Sequence, residues 1–222
     1  INYDRDFNGH HVTALAGFEQ SQFRRDKFNG SINKYDSDIL DEFFAGTADK
    51  SYYDIGGSAS ETARRSFFGR LGYDYKSKYM IQGIIRFDGS ENFPKENRWG
   101  VFPGVSAGWR ISEESFIKDN VPALTNLKIR ASYGEQGNDQ VAAFQYMTTY
   151  AYSEAIRYSM EVDGKKVNAI IPGIIPNPNI TWEVAKTWNV GIDRNIHNGL
   201  LGWEVEAFHT RRSNILCSRS GS

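Results

Sequence analysis

RFDGSENFPKENRWGVFPGVSAGWRIS, residues 86–112, decides how the rest of the chain is read. From Trp99 onward the residues alternate in character. Trp99, Val101, Pro103, Val105, Ala107, Trp109 and Ile111 fall on one side of an extended chain. Gly100, Gly104, Ser106, Gly108, Arg110 and Ser112 fall on the other, because successive side chains of a strand point to opposite faces. Phe102 is the one large apolar residue on the small, polar side. Trp99 and Trp109 are ten residues apart. At about 3.3 Å per residue and a tilt of roughly 40°, they stand about 25 Å apart along a membrane normal, the height of the apolar band of a membrane barrel. Tryptophan suits both rims of such a band, since its ring is apolar and its N–H wants a wet partner.

Period-two alternation marks seven further strands. They are INYDRDF, HHVTALAGFEQSQF, RSFFGRLGYDY, a fourth carrying Tyr79, Ile81, Gly83, Ile85 and Phe87, LTNLKIRASYGEQ, TWEVAKTWNVGID and LLGWEVEAFHT. In LTNLKIRASYGEQ, Leu127, Ile129, Ala131 and Tyr133 oppose Lys128, Arg130, Ser132 and Gly134. In TWEVAKTWNVGID, Trp182, Val184, Trp188, Val190 and Ile192 oppose Glu183, Thr187, Asn189 and Asp193. The first two strands meet at Asn8-Gly9, a hairpin-turn dipeptide. Connections alternate between short or compact ones (8–10, 76–78, 112–124, 194–199) and long ones (28–61, 88–98, 137–180). In an up-and-down antiparallel sheet this puts turns at one end and loops at the other, as outer-membrane barrels have them. Short helices are expected in DSDILDEFFAG, capped by Asp36 or Asp38, and in SEESFIKD, capped by Ser112.

Composition agrees with this architecture. Mean hydropathy is −0.54 over 222 residues, and no run approaches the ~20 apolar residues of a membrane helix. A barrel strand is apolar on one face only, so its average looks water-soluble. Net charge is −1, which gives nucleic acid or an anionic surface nothing to hold. Cys217 is the single cysteine, so no internal disulfide forms. The sequence opens at Ile1 with no charged and apolar leader pattern.

Residues 86–116, RFDGSENFPKENRWGVFPGVSAGWRISEESF, closely resemble the barrel signature of the SusC/RagA-type TonB-dependent outer-membrane receptors. LKIRASYGEQGND (127–139), NPNITWEVAKTWNVGID (177–193), HHVTALAGFEQ and YDYKSKYMIQGIIRFDGS resemble neighbouring segments of the same barrels. The resemblance implies about eight strands, residues 1–216, of a larger antiparallel transmembrane barrel with long external loops. It also implies glycan or peptide uptake across the outer membrane of a Gram-negative bacterium, driven through TonB and assisted by a SusD-like surface lipoprotein. It implies no enzymatic chemistry and no cofactor. A TonB box, a plug and an N-terminal accessory domain are not found, so a middle-to-late piece of barrel is expected, with residues 217–222 as a tail outside the family pattern.

On this reading Trp99, Val101, Val105, Trp109, Leu127, Ile129, Trp188 and Val190 face lipid. The rival architecture is a soluble β-sandwich, a carbohydrate-binding module, which would bury the same valines and isoleucines between two sheets. Arg110, Lys128 and Arg130 on the polar face are candidates to meet carboxylates of a plug, or simply to solvate the wall. Glu204 and Glu206, two apart on one strand face, match the carboxylate spacing of a glycosidase, but carboxylates are ordinary in a watery lumen. His10 and His11 are adjacent and point apart, a poor metal pair, and His197 and His209 stand alone. Asp36, Asp38 and Asp41 miss the glycine and glutamate of a calcium loop. GEQGND lacks the lysine of a phosphate loop, and Asp88-Gly89-Ser90-Glu91 reads as a turn. Tyr146, Tyr150, Tyr152 and Tyr158 could stack on sugars or pack within their loop.

Overall fold

The computed structural model describes residues 1–37, 39–40, 42–121, 124–152, 159–162, 165–168, 170–173, 175–196 and 200–217. The strands are β1 (Asn2–Phe7), β2 (His10–Ile32), β3 (Tyr53–Tyr75), β4 (Tyr79–Ser90), β5 (Trp99–Arg110), β6 (Leu124–Asn138), β7 (Tyr150–Tyr152), β8 (Ser159–Val162), β9 (Lys165–Asn168), β10 (Ile170–Pro172), β11 (Glu183–Ile196) and β12 (Leu201–Ser213). Eight of them form one sheet in the order β1-β2-β3-β4-β5-β6-β11-β12, an antiparallel up-and-down arrangement, not closed on itself. β7 pairs with β10 and β8 with β9, as two small hairpin layers inside the long connection before β11. The chain falls into two compact units: residues 1–20 with 64–222, and residues 21–63, which hold the far ends of β2 and β3 and their connection.

The turns follow from local chemistry. Asn8 (φ 49°) and Gly9 (φ 78°) take the paired left-handed conformation that matches strand twist. Lys76 (φ 51°) and Ser77 (φ 53°) do the same without glycine, and the Asp74 carboxylate accepts the Ser77 N–H at 2.6 Å. β6 follows a 3₁₀ turn, Ile111–Glu113, and α1 (Ser115–Lys118), one turn long. The expected helix over 112–119 is therefore shorter, and Glu114, not Ser112, precedes it. Ser112 is buried instead.

Other expectations are corrected as well. Of the helix expected at 36–46, the described residues show a 3₁₀ turn at Phe43–Ala45. Phe43 and Phe44 are exposed, so no apolar face is buried to hold a helix there. Asp38, Asp41, Tyr158, His197 and residues 218–222 lie outside the described residues. β2 and β3 each run 23 residues, reaching well into the stretch expected as loop. Within residues 21–63 the extension is polar, with Arg24 bonded to Asp26 and Gln22 to Glu61. Asp88, Gly89 and Ser90 belong to β4, and Ser90 is buried.

Among the described residues the buried apolar core is small: Phe93, Phe102, Ile180 and Trp182. It explains the misfit at Phe102. Gly100 and Gly137 leave room for its ring, which a Cβ at either position would meet at 2.3 and 2.1 Å. Trp182 closes over it edge-on at 5.3 Å, and Phe93 packs against Trp182 at 5.1 Å. Trp182 is thus 7% exposed, not aligned on the apolar face with Trp188 as its spacing predicts, because it precedes the first residue of β11. The indole N–H donates to the Arg98 carbonyl at 3.2 Å, and Asn97 donates to the Ile180 carbonyl at 3.2 Å. These contacts fasten the 91–98 connection and the end of the long connection to β5. Phe102→Ala is expected to cost about 3–5 kcal/mol through the cavity it leaves; a urea melt of the refolded protein followed by Trp fluorescence measures it.

Candidate functional site

The ladder sorts side chains into two faces with one row per residue. Leu71, Gly83, Val105, Tyr133, Trp188 and His209 stand in register on the apolar face. One residue along, Gln82, Ser106, Ser132, Asn189 and Phe208 stand in register on the polar face. Trp99, Val101, Val105, Trp109, Ile129, Trp188 and Val190 are all exposed, with Trp188 at 60%, and Leu127 is half-buried. All eight belong to one face. Aromatic clusters mark both ends of it. Phe18, Phe67 and Trp99 adjoin at 5.0 and 6.0 Å near the loop end. Phe7, His10 and Tyr75 stack at the turn end, where His10 also bonds the Tyr73 hydroxyl at 2.8 Å.

A charged knot completes the turn end. Glu114 Oε1 accepts the Tyr79 hydroxyl at 2.6 Å and the Trp109 indole N–H at 3.0 Å, and Oε2 accepts Lys78 Nζ at 3.1 Å. One carboxylate so ties the turn after β3, the last residue of the Trp99–Trp109 stretch and the compact connection into β6. The Tyr79 hydroxyl, then the Trp109 N–H, then Lys78 favour its charged form and hold its pKa down to about 2. Sequence spacing missed this residue. The signal available was an acid five residues beyond a rim tryptophan.

The polar face carries a 370 Å³ hollow whose lining includes Thr13, Gln82, Ser106, Gly108, Lys128, Arg130, Ser132 and Asn189. Arg130 dominates one side. Its Nε donates to Asp193 at 3.2 Å, Nη1 to Glu206 at 3.0 Å and Nη2 to Glu204, while Asn189 also donates to Glu206. The guanidinium crosses directly over Gly191, where a Cβ would lie 2.8 Å from Cζ. Arg130 therefore meets carboxylates of its own wall. Glu204 and Glu206 share one cation, the Arg130 guanidinium. His11 bonds Asp4 at 2.9 Å. Of the loop tyrosines, Tyr146 packs on the Phe93 cluster and Tyr150 is exposed.

A family model described as TonB dependent receptor-like, beta-barrel, matches residues 1–221. The chain belongs to that family. It is 32% identical over 217 residues to TonB-dependent receptor P39 of Formosa agariphila, covering 97% of this chain and 20% of that receptor. It is 29% identical over 219 residues to TonB-dependent receptor SusC of Bacteroides thetaiotaomicron, covering 98% and 21%. The chain thus spans about a fifth of the length of the curated relatives it matches. The fold superposes on the solved RagAB peptide transporter with a TM-score of 0.80 at 24% identity, over 93% of this chain and 22% of that one. The family is one of receptors and transporters, not of enzymes, and the match falls in the barrel region.

A carboxylate with a depressed pKa stabilises the fold above its unfolded value, near 4.5, and loses that contribution as pH falls toward 2. Glu114→Gln should accordingly flatten the fall in thermal midpoint between pH 4.5 and 2, read by circular dichroism. Arg130→Met leaves Asp193, Glu204 and Glu206 facing one another. It should lower the thermal midpoint at low salt, with partial recovery at 1 M salt as screening shortens to about 3 Å.

Proposed function

We propose that this chain is part of the lipid-embedded wall of an outer-membrane TonB-dependent receptor that imports glycans or other large nutrients, peptides included. In this reading the receptor works with a SusD-like surface lipoprotein and the TonB system of a Gram-negative bacterium. The carrying observation is the apolar face: Val101, Val105, Trp188 and Val190 stay exposed in a sheet one layer thick. A sandwich would have buried them against a second sheet. Hydrocarbon rewards such a surface, and the continuous ladder satisfies the backbone groups that lipid cannot. Trp99, Trp109, Leu127 and Ile129 complete the lipid-facing set.

The turn end, with its tight hairpins and the Glu114 knot, is the periplasmic rim. The loop end, with the Phe93–Trp182 cluster, is external, and its connections are the ones available to substrate and to a lipoprotein lid. SusC as a relative and a peptide transporter as a structural neighbour support nutrient uptake without choosing the nutrient. The whole receptor, expressed in its own outer membrane, tests the function. Uptake of labelled oligosaccharide or peptide should vanish on deleting the receptor and on inactivating TonB; uptake that survives TonB loss would contradict it.

Facing has its own test. Val105→Arg, near mid-height, should cost about 2–4 kcal/mol of stability in lipid vesicles, whereas Ser106→Arg should cost less than about 1 kcal/mol. Urea titration of the receptor folded into vesicles measures both.

A further inference from the structure

The apolar face is not smooth. Across β1 to β4 it carries a groove of 460 Å³ whose lining includes Tyr3, Ala14, Gly69, Leu71, Gly83 and Ile85. Register explains the groove. Tyr3 stands beside Ala14, Leu71 beside Gly83 and Ile85 beside Gly69, so each large residue has a small neighbour across its ladder. Gly83 borders open space, with no heavy atom within 4 Å of where a Cβ would be. A Cβ at Gly69 would meet nothing nearer than 3.7 Å. A groove left empty forfeits the close contacts its walls could make, and its volume is that of a small-ligand site.

A cation stands on the turn side of this groove. Arg5 follows Tyr3 by two residues in β1, so it shares the face of Tyr3 and lies nearer the Asn8-Gly9 turn. It is exposed, and its register neighbour is Val12. The acids beside it in sequence, Asp4 and Asp6, point to the opposite face, where they approach His11 at 2.9 and 3.9 Å. Among the described residues no carboxylate lies within 4.0 Å of the Arg5 guanidinium. Beyond Arg5, the stacked Phe7, His10 and Tyr75 mark the rim.

The order along the face is therefore an apolar slot, a guanidinium, then an aromatic edge. A phospholipid carries its chemistry in the same order, with an acyl chain leading to a phosphate at headgroup depth. A guanidinium binds phosphate through two N–H groups at once. Water at the rim would hydrate Arg5, as it does any long cation that reaches out of an apolar surface, but it would leave the slot empty. We propose that Arg5 and the groove over Gly69 and Gly83 hold one phospholipid of the periplasmic leaflet, its acyl chain in the groove and its phosphate on the guanidinium. The inference rests on the proposed barrel reading, in which this face meets lipid and the turn end is periplasmic.

The full-length receptor is stripped of lipid in detergent, mixed with dioleoyl phosphatidylglycerol and weighed by native mass spectrometry. One lipid should stay bound where further copies are lost. Arg5→Gln should weaken its retention severalfold. Gly83→Leu, which fills open space, should abolish it. Excess inorganic phosphate should leave the lipid in place, because the groove holds the chain. Equal retention by parent and variants, displacement by phosphate alone, or a receptor dimer that Gly83→Leu dissociates would each overturn the lipid site. Insertion into phosphatidylcholine vesicles is measured on the same samples, and parent and variants should insert alike. A receptor that inserts but retains no phosphatidylglycerol contradicts the groove and leaves the barrel reading standing. A receptor that stays in the aqueous phase without detergent overturns the barrel reading itself.

Discussion

A strand has two sides and no third, and every feature of this molecule follows from how its neighbours respect that limit. Because the period is two, a slip of one residue in any ladder would exchange the apolar row for the polar one. The register holds Val105 beside Tyr133 and Tyr133 beside Trp188, while Ser106, Ser132 and Asn189 stay together on the reverse. With the sides sorted across eight strands, the buried apolar core among the described residues is four residues at one end.

That small core and the Glu114 knot divide the labour between the two ends. At the loop end, packing does the work: Phe102 fills space that Gly100 and Gly137 leave open, and Trp182 seals it. At the turn end, hydrogen bonding does it, through one carboxylate and three donors. The middle of the polar face is governed by charge, with Arg130 drawing Asp193, Glu204 and Glu206 together over Gly191. The Arg130 cluster joins side chains of β6, β11 and β12 and so pins the ladders between them, while the other two devices fasten connections to β4 and β5.

Much of this could be read from the chain before any coordinates. The eight main strands and the two sides of each follow from alternation, because one side is mostly apolar, and their up-and-down order follows from the alternating connection lengths. Reading failed where that asymmetry lapses. Residues 24–32 and 53–63 are mostly polar, with Phe28, Ile32, Tyr53 and Ile55 too sparse to make an alternating row, so β2 and β3 continue with no pattern to announce it. Asp88-Gly89-Ser90 has turn composition but is held extended by its ladder to β3 and β5. Trp182 kept the spacing of its strand while lying just before it. Phe102 was visible as an anomaly, yet its partners Phe93 and Ile180 sit in distant connections that no local rule joins to it. The sequence leaves Arg130 open as a partner for plug carboxylates or as a solvated cation, because Asp193 sits on the neighbouring strand and Glu204 and Glu206 reach it only across two ladders.

The Glu114 knot has a consequence for how such a wall would sit in a bilayer. Rim aromatics ordinarily look to lipid headgroups or water for their polar contact, and so their height tracks the surrounding membrane. Here the indole N–H of Trp109 and the hydroxyl of Tyr79 are both answered from within. In the proposed membrane setting those two rings would ask less of their surroundings, and this edge of the wall would keep its depth while the lipid species around it change.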